Sequence, residues 1–102
     1  MQPLARDLQH ELERGVILDI LILANLEWVP IRSVSVQLAG QGFFVEEEDL
    51  CFHFNYLEQR GYIDRKPLRS GRADLELQVV RATTKAVDLH DGRIPADEGI
   101  KF

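Results

Sequence analysis

One stretch of this chain restricts its fold more than any other: Val45 to Ile63, VEEEDLCFHFNYLEQRGYI, where a helical pattern, its stop signal and the start of a strand follow without a gap. Leu50, Phe54 and Leu57 recur at i, i+4 and i+7, one apolar stripe of a 3.6-residue period, and Gly61 stands where a left-handed C-terminal cap is needed. Tyr62 and Ile63 then restart the apolar pattern as a strand. Glu46, Glu47, Glu48 and Asp49 crowd the start of this helix, where their charge complements the positive end of its dipole.

Upstream, Pro3 suits a first helical turn, and Leu4, Leu8, Leu12 and Val16 recur every four residues as one side of a long first helix ending near Asn25. Its second half, VILDILILANL, holds more apolar side chains than one face can bury. It is either enclosed by its own domain or pressed against a second subunit, and the expectation is a homodimer through Ile17 and Leu21. Gly15 costs about 1 kcal/mol in mid-helix, so it marks either close packing against a neighbour or a weak point. Pro30 biases Val29 to an extended conformation, which separates the first helix from the next and allows a short strand or tight turn. Ile31, Val34 and Leu38 at i, i+3, i+7, with Gly42 as a cap, predict a short second helix over IRSVSVQLAGQ.

Downstream, Tyr62 to Lys66 and Asp74 to Arg81 flank the turn-forming PLRSGRA and predict a two-stranded wing. Leu75, Leu77 and Val79 alternate with Asp74, Glu76 and Gln78, so that face should lie on the helices. Thr83 or Thr84 can cap a last short helix that Asp91-Gly92 ends. Residues 93–102 have no period and predict an extended or partly mobile tail, with Ile94, Ile100 and Phe102 as docking points.

With 102 residues, 45% of them hydrophobic, the chain has room for one core and is expected to be a single domain over 1–102. A net charge of −5 argues against general affinity for polyphosphate, so any DNA contact must be local. Cys51, the only cysteine, excludes an internal disulfide. The opening residues lack signal-peptide order and the longest apolar run is too short for a bilayer, which predicts a cytoplasmic protein with no membrane partner. A metal would need several of His10, His53, His90 and Cys51 to converge. Cys51 and His53 point roughly 200° apart on a helix, so neither a metal nor any other cofactor is expected. No catalytic motif is present, and acid pairs such as Asp88 and Asp91 are explained as a solvated face; no enzyme is expected.

Helix, helix, helix, two-stranded wing and short helix, in that order over Leu4 to Gly92, resemble a winged helix-turn-helix domain, and LEQRGYI resembles the junction of its third helix and first wing strand. The ending TTKAVDLHDGRIPADEGIKF is similar to the tail of a small winged-helix family of Mu-like phages and prophages, with Thr83, Asp88, Gly92, Arg93 and Pro95 matching and Ala86 and Ala96 standing where that pattern has glycine. The fold class expected is therefore α+β, mostly helical, in a phage setting. Two functions compete. As a DNA-binding regulator, Asn55 and Gln59 on the third helix would read bases while Arg65, Lys66, Arg69 and Arg72 hold the backbone. As a protein-interaction adaptor that leaves DNA alone, the helix would present Phe52 beside Glu48 to another chain.

Overall fold

A computed structural model describes residues 3–68 and 78–102. Along these the elements are α1 (Pro3–Leu23), β1 (Val29–Pro30), α2 (Ile31–Gly40), α3 (Glu47–Gln59), β2 (Ile63–Pro67), β3 (Gln78–Ala82) and α4 (Thr84–His90). Four helices and one three-stranded antiparallel sheet make an α+β fold, with strand order β1-β3-β2. The sheet has one strand more than the two-stranded wing expected, because Val29 pairs with Val80 and Pro30 with Val79. Proline has no N–H to give to a ladder, and an edge strand is where that costs least.

Gly61 ends α3 as its place in the sequence requires. Its φ of 80° lets its own N–H reach the Glu58 carbonyl at 3.0 Å and that of Tyr62 reach Leu57 at 2.9 Å, so two carbonyls of the last turn are satisfied and the chain enters β2 one residue later. Leu50, Phe54 and Leu57 lie in one buried cluster with Val34 and Leu38, so the stripe that defined α3 is its core face.

The first helix differs from expectation in which side it buries. Leu8 is exposed, while Ile17, Leu18, Ile20 and Leu21 are buried in the protomer's own core. Ile17 and Leu21, expected at a dimer contact, are both 0% exposed, which corrects that assignment: no part of either side chain is available to a second copy. The surplus of apolar residues is absorbed because α1 packs against α2, α3, α4 and β3 together. In β3, Val80 and Ala82 join the core cluster and Val79 does not, so the helix-facing parity is the opposite of the one expected from Val79. Leu75 and Leu77 lie outside the described residues.

The stretch 93–102 forms neither helix nor strand but is docked. Ile100 is buried in the core, Ile94 packs against it, and the Phe102 ring meets His90 edge-on at 4.9 Å between centroids. The Lys101 N–H donates to the Glu11 carbonyl at 3.0 Å, and a β-carbon on Gly15 would overlap the Lys101 carbonyl. Close approach of the tail is thus the reason for a glycine in mid-helix. No described helix is long and apolar enough to cross a membrane.

Candidate functional site

Two regions hold the residues that carry chemistry, the outward face of α3 with the neighbouring strands, and a buried polar cluster between α1 and α3. On the outward face, Asn55 and Gln59 are exposed, and Glu47, Glu48, Cys51, Phe52 and Asn55 line a shallow depression. Phe52 is 51% exposed on this acidic ground. Of the cations expected beside it, Arg65 and Lys66 are engaged within the fold. One terminal nitrogen of Arg65 donates to Glu58 Oε1 at 2.6 Å and to Asn55 Oδ1 at 2.7 Å, so the residue meant for phosphate and the residue meant for a base edge hold each other. Lys66 Nζ lies 4.3 Å from the Trp28 ring centroid and the Arg81 guanidinium 4.5 Å from it, a pair of cation–π contacts on the outer side of the sheet. Arg81 is paired in turn with Asp64 at 3.1 Å. Arg69 and Arg72 lie outside the described residues.

The buried cluster has no counterpart among the sites expected from sequence. Glu13, Arg14 and His53 are the buried charged or polar side chains of the described core. His53 Nε2 lies 2.7 Å from Glu13 Oε1, and Arg14 Nε donates to His53 Nδ1 at 3.2 Å. Those two contacts fix the imidazole as neutral with its proton on Nε2, because Nδ1 must offer a lone pair to the guanidinium. Burial, reinforced by the Arg14 charge, holds the His53 pKa below its ordinary value even though the Glu13 carboxylate pulls the other way. Arg14 Nη1 donates to the Gly99 carbonyl at 2.8 Å, and its guanidinium lies 4.1 Å from the Tyr56 ring centroid and 5.2 Å from that of Phe52. One charge therefore joins α1, α3 and the tail.

Asp97 anchors the same tail from the other side. Its two oxygens accept from Tyr56 at 2.7 Å and Tyr62 at 3.0 Å, the Gly99 N–H donates to it at 2.8 Å, and Arg60 lies 3.3 Å away. Burial alone would raise the Asp97 pKa, but these donors and the Arg60 charge outweigh it and hold the carboxyl below its ordinary value. The same burial and the bond to Asp97 push the Tyr62 hydroxyl up to about 12.

Side chains with metal-binding atoms do converge, across two helices rather than within one. His10, Glu13 and His53 each place a nitrogen or oxygen within 4.8 Å of the others, a meeting that the divergence of Cys51 and His53 along one helix does not reveal. A signal for it is present in the pattern: His10, Arg14, Ile17 and Leu21 continue one helical face, and His53 falls between Leu50 and Leu57 on the buried stripe. Comparison with family models, with curated proteins and with solved structures finds no match for this chain.

Proposed function

We propose that the chain is a winged helix-turn-helix domain that binds DNA, a regulator of phage or prophage origin. The observation that carries this reading is the order α1, β1, α2, α3, β2, β3 with β1 beside β3 and β3 beside β2, which is how such a domain would present α3 as its recognition helix and the β2–β3 connection as its wing. The step from fold to ligand is by analogy. Affinity would come from the wing, with Arg69 and Arg72 on the phosphates, since the front of α3 carries Glu47 and Glu48. Asn55 would have to release Arg65 before its amide met a base, and Arg65 would then be free for a phosphate.

The test is retention of phage or genomic DNA fragments by the purified chain across a salt series. Binding near physiological salt is expected, and replacing Arg69 and Arg72 by alanine should flatten the log–log salt slope by roughly two units, about 0.9 for each phosphate no longer neutralised. Absence of retention would remove the DNA reading. A second reading is favoured by one observation, the half-exposed Phe52 beside Glu47 and Glu48, an anchor and charge suited to a basic segment of another protein. The wild type should then retain no DNA fragment near physiological salt, and Phe52→Ala should abolish partner capture.

A further inference from the structure

We infer that His10, Glu13 and His53 form a site for a divalent transition-metal ion, Zn2+ by chemistry, bridging α1 and α3. His10 and Glu13 stand three apart on α1, so that helix offers a pair of ligands from one face, and His53 meets them from α3. His53 Nε2 and Glu13 Oε1 are 2.7 Å apart, His10 Nε2 and Asp49 Oδ2 are 3.9 Å apart, and the atoms of His10, Glu13 and His53 all lie within 4.8 Å of one another. Three protein donors drawn in to about 2.0–2.2 Å from one centre, with the fourth position open to water, make an arrangement that zinc takes. Two imidazoles with one carboxylate, and no sulfur, suit zinc and its first-row neighbours better than magnesium or calcium. Glu13 is already oriented for this role, because its second oxygen accepts from the Gln9 amide at 3.1 Å. The approach is from the side of His10 and Asp49, whose side chains are 17% and 38% exposed, while His53 and Glu13 form the buried floor.

Arg14 opposes coordination. A metal on His53 Nε2 requires the ring proton to move to Nδ1, where it would face the Arg14 Nε–H that now donates there. The proton is transferred within the ring and none leaves it, but Arg14 must turn away. Binding therefore competes with the Arg14 hydrogen bond, and variants of the ligands and of Arg14 should respond in opposite directions.

Zn2+ titration of the full chain by calorimetry, with Co2+ absorption as a reporter of tetrahedral coordination, tests this. One ion per chain is expected. His10→Gln, chosen because His10 lies at the partly exposed mouth and its removal should spare the fold, should weaken binding by about tenfold or more, since even loss of a group that only supports a ligand costs that much. Arg14→Gln, whose amide oxygen can accept from Nδ1–H, should tighten it. His90→Gln should change nothing, since His90 belongs to a separate group with Asp19 and Asp91. Lack of saturable binding, or unchanged affinity in His10→Gln with circular dichroism showing a folded chain, overturns the site. Weakened affinity in His90→Gln would move the ion elsewhere and overturn it equally, and an unaltered Arg14→Gln would defeat the part assigned to Arg14.

Discussion

Asp97 illustrates how one side chain can hold a segment that no helix or strand supports. Its carboxylate accepts from both Tyr56 and Tyr62, takes the Gly99 N–H and faces Arg60, so its charged form is favoured in the fold although water is largely excluded. The sign of the resulting pH dependence follows from the lowered pKa. Stability from Asp97 is fully present above its ordinary value of 3.8 and is lost as the pH falls through that value toward the lower one of the folded state. Urea midpoints taken from about pH 5 to about pH 3 should fall, and Asp97→Asn should show a lower midpoint at the upper end with a shallower fall below it. Parallel curves for the two proteins would mean that Asp97 titrates alike folded and unfolded.

Among elements, α4 has the clearest local cause. Thr83 Oγ1 accepts the Ala86 N–H at 3.4 Å and donates its own proton to the Gly61 carbonyl at 2.7 Å, so one hydroxyl caps α4 and pins it to the turn that ends α3. Thr83→Ala should cost about 1 kcal/mol, measured as a shift in denaturation midpoint, and Thr83→Ser should restore most of it. The helices are legible in the sequence because their signals are local: Gly61 behind a 3.6-residue stripe, Pro30 ahead of Ile31, Thr83 ahead of Ala86. What is not legible depends on partners distant in sequence. Leu4, Leu8 and Leu12 repeat as regularly as a core stripe, yet the buried turn of α1 is set by Glu13 and Arg14, whose burial is tolerable only because His53 and Gly99 answer their hydrogen bonds. Arg65 looks like a free cation in the sequence for the same reason, since nothing local shows that Asn55 and Glu58 face it from the preceding helix.

For the molecule as a whole, the core that Ile17 and Leu21 were expected to share with a second copy is completed within one chain. Part of that completion is the tail. Ending the chain after Gly92 would take the Gly99 carbonyl from Arg14 and the Asp97 carboxylate from Tyr56 and Tyr62 at once, and each group left unsatisfied costs about 1–3 kcal/mol. The truncated chain should unfold at much lower urea concentration, and a midpoint equal to that of the full chain would mean that the tail contributes nothing. The docking of residues 97–101 across α1 also has a consequence during synthesis. The residues that close the Arg14 cluster emerge from the ribosome after all four helices, and the bond they make spans 85 positions back to the first helix. A nascent chain stopped at Gly92 lacks the Gly99 carbonyl that Arg14 reaches, so this long-range contact closes only after α1 to α4 have been made.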